Sequence, residues 1–315
     1  RKPMGERREG DWYVGMGMAS AARSNMLIKS AARVRLTGDG AVVETDMTDI
    51  GTGSYAILGQ ITAEMLGLPL ERVEVRLGDT SFPGASGSGG SFGASSAGSA
   101  TFLAAKAIRE TLAERMGCSL SELTLQNGIA RGGNREVPLS ELVDGELAEE
   151  ASVESGSTAD SHFSAGFGAH FAEVAVHAYT GEVRVRRMLG VMAMGRILNE
   201  KTARSQALGG MIWGLGSALT EKLTHDPRTG HLATRDLANY HVPAHADVPG
   251  DLKVVFLEER DDTANPIQTK GIGELGISGA GAAILNAVRN ACGARVYDMP
   301  ATPDRVIAAM DAASH

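Results

Sequence analysis

The sequence predicts an α+β fold in which mixed sheets pack against helices. A β-hairpin pattern, a polar loop and a helical pattern follow one another in residues 31–80, and the same series recurs in residues 171–223. Hairpins combined with packed helices favour an α+β fold over a doubly wound sheet. At roughly 150 residues per domain, a chain of 315 residues also predicts two domains. We place these at residues 1–160 and 161–315.

The first unit opens with a hairpin over residues 32–45. Apolar and polar residues alternate on both sides of the turn Gly38-Asp39-Gly40. A glycine-rich loop then leads into a helix with Ser54 as N-cap, because apolar residues recur every four positions until Gly67 ends the pattern. Alternating apolar residues predict a strand over residues 73–77.

The second unit repeats this plan. A hairpin over residues 174–194 turns at residues 179–182, and a polar loop over residues 195–202 opens a helix that runs through Leu219. Residues 145–162 between the two units are acidic and rich in serine and glycine, as in Ser155-Gly156-Ser157, so they predict a linker or a surface excursion.

Two further glycine-rich stretches also precede helices. Residues 84–98 run into a helix that ends near Gly117, and residues 270–281 enter a helix that ends at Gly293. The first turn of a helix has free backbone N–H groups and the positive end of the helix dipole, and both attract anionic oxygens. The sequence therefore predicts several anion-binding loops.

Composition excludes several classes of protein. Thirty lysines and arginines against 38 aspartates and glutamates give a net charge of −8, which argues against electrostatic binding to nucleic acid or to an anionic membrane. Glycine contributes 40 residues without a three-residue period, and 43% of the residues are hydrophobic. A collagen-like or disordered chain is therefore excluded.

The cysteine content and the length of the apolar runs exclude further kinds of site and segment. The cysteines at positions 118 and 292 are too few and too far apart to form an iron–sulfur site or a disulfide framework. Because no apolar run reaches about 18 residues, we expect no membrane span. The first residues, Arg1-Lys2-Pro3-Met4, lack the apolar stretch of a secretory signal and suggest a piece of a longer protein.

Three patterns match known motifs but lack the required context. Residues 271–276 match the dinucleotide fingerprint G-x-G-x-x-G, yet too few residues follow for a Rossmann domain. Residues 89–93 match the hydrolase elbow G-x-S-x-G, yet no predicted strand leads directly into them. His241 and His245 have metalloprotease spacing, but Pro243 lies between them and no glutamate follows His241.

Glu274 lies inside the turn 271–276 and has two interpretations. It is either a solvated carboxylate in a tight turn or a general base held beside a ligand pocket. Donor side chains at the start of the second unit's helix likewise either cap the helix or bind a ligand; they are Asn199, Lys201, Thr202 and Gln206. Several donor-rich loops together with one carboxylate favour a single large anionic ligand.

Four stretches of the chain carry a family resemblance. They are Asp46-Met47-Thr48-Asp49-Ile50-Gly51-Thr52-Gly53-Ser54-Tyr55, Gly87-Ser88-Gly89-Gly90, Gly195 to Gln206, and Lys270-Gly271-Ile272-Gly273-Glu274-Leu275-Gly276. Together they resemble the carboxyl-terminal half of the molybdenum-cofactor subunit of the xanthine dehydrogenase/aldehyde oxidase family. Within that family, the chain is most similar to the molybdenum subunits of bacterial periplasmic aldehyde oxidoreductases.

The resemblance implies a molybdenum hydroxylase that oxidises aldehydes to carboxylic acids with oxygen taken from water. The family's glutamate matches Glu274, which would deprotonate a hydroxyl bound to molybdenum so that its oxygen attacks the substrate carbon. Hydride would then pass to a sulfido ligand of the metal. Arg23 falls where relatives line the substrate pocket, so the resemblance implies that it polarises a carbonyl or stabilises an oxyanion. The other interpretation is that Arg23 is an ordinary surface arginine on a strand edge.

The implied cofactor is molybdopterin cytosine dinucleotide, whose dithiolene holds the molybdenum without side-chain ligands. The positions that match the family's cofactor contacts are Ile50, Gly51, Thr52, Gly93, Ala94, Arg196, Ile197, Leu198, Asn199, Glu200, Lys201, Thr202, Gln206, Lys270, Gly271, Ile272 and Gly273. The chain departs from the family at Thr52, where many relatives have glutamine, and at Glu200, where a proline is common.

The resemblance also implies partners. Electrons would leave through iron–sulfur clusters and FAD on partner subunits, since this chain lacks cysteines for clusters. The family's subunit is much longer, so we expect its amino-terminal half to complete the pocket for a small aldehyde. Without that half the chain would expose apolar surface and associate with itself or a partner. The compartment is either the periplasm, by co-export with a signal-bearing partner, or the cytoplasm.

Two other functions stay open. The same family includes hydroxylases of purines and other N-heterocycles, which act on a different substrate class with the same cofactor. A non-catalytic fragment or an interaction module without cofactor is the third possibility.

Overall fold

A computed structural model describes residues 2–156 and 158–313 and confirms the α+β class. Arg1, Ser157 of the expected linker, and residues 314–315 lie outside the described part. The strands are β1 (Arg8–Glu9), β2 (Trp12–Ser24), β3 (Ser30–Thr37), β4 (Ala41–Thr45), β5 (Val73–Leu77), β6 (Thr124–Gln126), β7 (Ile129–Gly132), β8 (Arg135–Pro138), β9 (Glu146–Val153), β10 (Ala165–His177), β11 (Val183–Ala193) and β12 (Asp251–Leu257). The helices are α1 (Ser54–Leu66), α2 (Gly93–Met116), α3 (Leu139–Leu142), α4 (Thr158–Ser161), α5 (Glu200–Leu219), α6 (Ala280–Cys292) and α7 (Pro303–Ala313), with 3₁₀ turns at Leu70–Arg72 and His245–Asp247.

A four-stranded sheet, in the order β5-β4-β3-β9, contains the first predicted hairpin. Strands β3 and β4 pair antiparallel, and β5 returns parallel to β4 after α1. Helices α1 and α2 cover one face of the sheet, where fully buried apolar side chains such as Leu36, Val43 and Ile108 form the core. The alternating burial along β3 is the pattern expected of a sheet with one covered face.

A five-stranded sheet, in the order β1-β2-β10-β11-β12, contains the second hairpin. Strand β10 pairs antiparallel with β2 and β11, and β12 lies parallel to β11. Helix α6 packs directly on β2, because Gly15 and Gly17 have no side chain to hold it away. A Cβ at Gly17 would collide with the backbone at Ala283 and Ala287.

Both sheets contain the same series: an antiparallel hairpin, a helix, and a strand parallel to the hairpin's second strand. The sequence suggested the hairpin, the loop and the helix for both units, and the strand after the helix for the first unit only. The division at residues 160 and 161 stays a prediction. Strands β1 and β2, near the start of the chain, belong to the sheet formed by the later residues.

A linker over all of residues 145–162 is wrong, because 8 of these 18 residues form a strand. Residues 146–153 form strand β9, which pairs antiparallel with β3. In the sequence, the carboxylates of β9 are typical of a solvated loop. In the structure they form ion pairs with arginines of β3: Glu150 lies 2.9 Å from Arg33, and Glu146 lies 3.1 Å from Arg35. Cross-strand pairs of opposite charge stabilise such a strand.

Helix boundaries match the glycine signals. Gly67, Gly117 and Gly293 end α1, α2 and α6 in the left-handed conformation that glycine adopts readily. Ser54 was expected as an N-cap, but it is the first residue of α1. The cap position belongs to Gly53, whose φ of 96° excludes most side chains.

Some elements were not predicted from the sequence. Among them are a small sheet in the order β6-β7-β8, whose strands have only three or four residues, and the final helix α7. Across residues 2–156 and 158–313, no helix is both long and apolar enough to span a bilayer.

Candidate functional site

The glycine-rich loops of the chain meet around one cavity of about 340 Å³, which we call the central cavity. Its walls come from the loop before α1, the loop before α2, the loop and first turns of α5, and the turn before α6. They are formed by Met47, Ile50, Thr52, Ser54, Ile57, Ser88, Gly89, Gly90, Ser91, Gly93, Ala94, Met194, Arg196, Ile197, Leu198, Asn199, Thr202, Ala203, Gln206, Trp213, Thr269, Lys270, Gly271, Ile272, Gly273 and Glu274.

Most of the residues matched to cofactor contacts therefore share this cavity, and their role in binding stays a prediction. Gly51, Glu200 and Lys201 do not line it. The lining positions 199, 202, 203 and 206, which are the N-cap and the first turns of α5, follow helical spacing, so Glu200 and Lys201 lie on another face. Glu200 instead pairs with Arg204 at 2.6 Å.

Asp49 organises the loop before α1. Its Oδ1 accepts backbone N–H bonds from Gly51 at 2.7 Å and Thr52 at 2.9 Å. Burial alone would raise the pKa of Asp49. The backbone hydrogen bonds from Gly51, Tyr55 and their neighbours outweigh this effect, and the pKa lies below its ordinary value. The carboxylate thus stays ionised and holds the loop in shape, and Gly53 packs against Thr202 of α5.

The start of α5 is tied to α1. Asn199 caps the helix by accepting the N–H of Thr202 at 3.0 Å, as one of its two interpretations proposed. Its amide group also donates to Gln60 at 3.1 Å. Arg196 pairs with Glu64 of α1 at 3.0 Å. These contacts fix two cavity walls relative to each other.

Lys270 anchors the turn before α6. Its side chain is only 4% exposed, and its Nζ lies 2.8 Å from Glu259 and 2.9 Å from Asp261. Burial alone would lower the pKa of Lys270. Hydrogen bonds to the two carboxylates outweigh this effect and raise the pKa above its ordinary value. Glu259 also accepts the backbone N–H of Gly195 at 2.8 Å. The ion pair therefore joins the turn to the loop before α5.

Glu274 lies in the cavity wall and is held by groups far away in the sequence. Arg23, at the end of β2, places Nε 2.7 Å and Nη2 2.5 Å from Oε2 of Glu274. Arg23 does not line the cavity itself, but its guanidinium reaches the carboxylate that does. The side chains of Glu274 and Arg23 are 42% and 31% exposed, so this is a partly solvated ion pair.

Sequence reasoning missed Ser91 as a partner of Glu274. Its Oγ accepts the backbone N–H of Glu274 at 3.0 Å and donates to Oε2 at 3.3 Å. The only signal was the G-x-S-x-G match, which suggested a hydrolase nucleophile. The structure gives no support to that role, because β5 ends at Leu77, and no histidine lines the cavity among the residues that the structure describes.

The structure also gives no metalloprotease helix. His241 lies in irregular backbone and His245 begins a 3₁₀ turn. Within the described ranges, no group of three or more His, Cys, Asp or Glu side chains could hold a metal ion.

Other cavity residues were missed because their types are common in cores. Met47, Ile57, Met194 and Trp213 supply apolar surface, and Trp213 is 62% exposed. Each lies within or a few residues from a motif that the sequence already marked, so proximity to those motifs was the only available signal.

His170, on β10, is fully buried beneath the turn that carries Glu274. Its Nε2 lies 3.3 Å from the carbonyl oxygen of Leu275. A carbonyl can only accept, so Nε2 carries a proton in this contact. Burial lowers the pKa of His170 even though hydrogen bonds to the backbone of Leu275 and Ser278 act in the opposite direction.

We expect His170 to make stability depend on pH. In the unfolded chain the ring binds a proton below about pH 6.5, whereas the folded chain binds it only at lower pH. The free energy of unfolding should therefore fall by up to about 1.4 kcal/mol for each pH unit below that value, until the folded pKa is reached. Urea unfolding of the wild type and of His170→Gln at pH 7 and pH 5.5 measures how much of this loss of unfolding free energy comes from His170. Equal losses in the two proteins would contradict it.

The residues of the cavity suit a bulky anionic organic ligand. Helices α1 and α2 both begin at its wall. The Asp49 carboxylate already accepts the N–H of Tyr55 in the first turn of α1, whereas the N-cap residue of α2 makes no side-chain cap hydrogen bond. The first N–H groups of α2 can therefore bind phosphate or other anionic oxygens. The apolar residues next to them suit a flat ring. The donor set thus fits a molybdopterin cofactor.

Comparison with known proteins identifies the family. A model described as "Molybdopterin cofactor-binding domain" matches residues 1–249. The chain is 50% identical over 305 residues to the aldehyde oxidoreductase molybdenum-binding subunit PaoC of Escherichia coli (strain K12), covering 96% of this chain and 42% of PaoC. It is 31% identical over 317 residues to the probable hypoxanthine oxidase XdhD of the same strain, covering 96% of this chain and 33% of XdhD.

The fold agrees with these matches. The crystal structure of quinoline 2-oxidoreductase from Pseudomonas putida 86 superposes with a TM-score of 0.85 at 23% identity, covering 96% of this chain and 42% of that one. The chain thus spans less than half the length of these relatives. By the family match and the PaoC identity, the chain belongs to the molybdopterin cofactor-binding domain family, within the molybdenum-binding subunits of the xanthine dehydrogenase type.

Proposed function

We propose that this chain forms part of a molybdenum hydroxylase that oxidises aldehydes to carboxylic acids. The observation that carries the proposal is Glu274, whose carboxylate lies in the wall of a cavity built from glycine-rich turns and helix N-termini. The 50% identity to an aldehyde oxidoreductase subunit supports an aldehyde as the substrate class.

The proposed cofactor is molybdopterin cytosine dinucleotide. The backbone N–H groups of Gly93 and Ala94 at the start of α2 would bind its anionic oxygens, and Thr52 and Gln206 offer side-chain donors. Trp213 and its apolar neighbours would cover a ring. When bound, this cofactor supplies the redox-active metal that takes two electrons from the substrate.

Oxidation of an aldehyde with water gives a carboxylic acid, two electrons and two protons. We assign to Glu274 the role of general base, accepting a proton as the water-derived oxygen is transferred to the substrate carbon. Arg23 holds the carboxylate through Oε2, and its remaining exposed surface could orient the carbonyl of the substrate. The electrons would then pass to iron–sulfur and FAD groups on partner subunits.

The substrate class can be tested on the assembled complex. We expect kcat/KM for benzaldehyde to exceed that for xanthine by about tenfold or more, a gap of about 1.4 kcal/mol or more in transition-state binding. The reverse order would favour a purine hydroxylase, which the similarity to a probable hypoxanthine oxidase also suggests. Absence of both molybdenum and turnover would favour the non-catalytic module.

A further inference from the structure

We propose that Ser91 is a positioning residue that holds the carboxylate of Glu274 in the orientation in which one oxygen is free to act as the base. The inference rests on the proposed function, because it concerns the residue to which that function assigns proton transfer. It gives a role to the serine of the G-x-S-x-G pattern, which the cofactor contacts do not use.

The donors around Glu274 all meet at one oxygen. Arg23 reaches Oε2 through Nε at 2.7 Å and Nη2 at 2.5 Å, and the hydroxyl of Ser91 reaches the same atom at 3.3 Å. Among residues 2–156 and 158–313, none donates to Oε1. Oε1 is therefore the oxygen left to accept a proton from the cavity.

Ser91 can hold this arrangement because its hydroxyl is used in two ways. The oxygen accepts the backbone N–H of Glu274 at 3.0 Å, and the single proton is then directed to Oε2. Backbone and side chain of the same glutamate are thus fixed by one group. Without it, the carboxylate would be held only by Arg23 and could rotate away from this orientation.

The backbone around Ser91 is built for this contact. Ser91 has a φ of 59°, a left-handed conformation that is uncommon for a residue with a side chain. Gly271 and Gly273 of the facing turn leave room for it: a Cβ at Gly271 would overlap the carbonyl oxygen of Ser91, and one at Gly273 would lie 3.2 Å from its Oγ. Strain kept at such a position is typical of functional sites.

The test compares Ser91→Gly and Ser91→Ala. Both remove the hydroxyl, but only glycine also relieves the left-handed backbone. In the assembled molybdenum enzyme we expect both variants to lose about 10- to 100-fold in kcat, because misplaced reacting groups cost that much. KM should change less than about twofold, and molybdenum content should stay the same, since substrate and cofactor contacts are kept.

A second readout needs no cofactor. The infrared carboxylate band of Glu274, identified by subtracting the spectrum of Glu274→Gln, should shift in Ser91→Gly of this chain. Asn134→Gly is the matched control, because Asn134 has a similar φ of 56° in the exposed turn between β7 and β8. It should leave the band and kcat unchanged.

The outcomes separate the two proposals. Wild-type kcat and an unshifted band in the Ser91 variants, with Glu274→Gln inactive, would overturn the role of Ser91 alone. Full activity of Glu274→Gln would instead overturn the proposed function. Loss of molybdenum in Ser91→Gly would assign Ser91 to cofactor binding and contradict the positioning role.

Discussion

Replacing Glu274 with glutamine should lower kcat by about 10²- to 10⁴-fold, the contribution usual for a general base. Glutamine keeps the shape of the side chain but cannot accept the proton. Its amide would also lose the charge-assisted bonds that Arg23 now makes to Oε2. The measurement is steady-state oxidation of benzaldehyde by the assembled enzyme, together with molybdenum content by mass spectrometry. Molybdenum should stay near the wild-type level.

Glu136→Gln is the matched control. Glu136 is also a half-exposed carboxylate paired with an arginine, at 3.0 Å from Arg131, but it lies in the hairpin β7-β8, away from the central cavity. Its replacement should leave kcat within about twofold, because an exposed ion pair contributes no more than about 1 kcal/mol to stability. Comparable activity of the two variants would remove Glu274 from the chemistry.

Replacing Gly271 with alanine should have the second largest effect. The new Cβ would overlap the carbonyl oxygen of Ser91, which is backbone and cannot rotate away. The turn and the loop before α2 would have to separate, at a cost of about 1–3 kcal/mol in unfolding free energy. Because both form cavity walls, we expect molybdenum per chain to fall by about tenfold or more, a loss of about 1.4 kcal/mol or more in binding.

Gly209→Ala separates this effect from a general intolerance of alanine. Gly209 lies on an exposed position of α5, and a Cβ there meets no atom within 4 Å. Alanine should therefore raise helix stability by up to about 1 kcal/mol and leave cofactor content unchanged. Urea unfolding and metal analysis of both variants provide the comparison. A Gly271→Ala protein with normal molybdenum content would show that the close contact with Ser91 is not needed for binding.

Local signals in the sequence predicted the elements that border the cavity. The ends of α1 and α2 at Gly67 and Gly117, and the cap of α5 at Asn199, all depend on backbone conformations or side-chain caps that only a few residue types favour. Such signals act over a few residues, so they can be recognised without knowing the fold.

The remaining features depend on partners distant in sequence. Strand β9 looked like a linker because the arginines that neutralise Glu146 and Glu150 lie more than 100 positions earlier. Ser91 and Glu274 are 183 positions apart, and Arg23 is 251 positions from Glu274. The family resemblance suggested Arg23 and Glu274 as catalytic residues, but only the fold brings them into contact with each other and with Ser91.

The convergence of the glycine-rich loops on one metal cofactor can be tested by locating molybdenum directly. Anomalous scattering at the molybdenum edge, from crystals of the assembled subunit, gives the metal's position without assumptions about the ligand. We predict a single peak inside the central cavity, on the side of Glu274. A peak elsewhere, with Thr52, Gly93, Gln206 and Gly271 far from the bound cofactor, would contradict the assignment of this cavity and of Glu274 as its base.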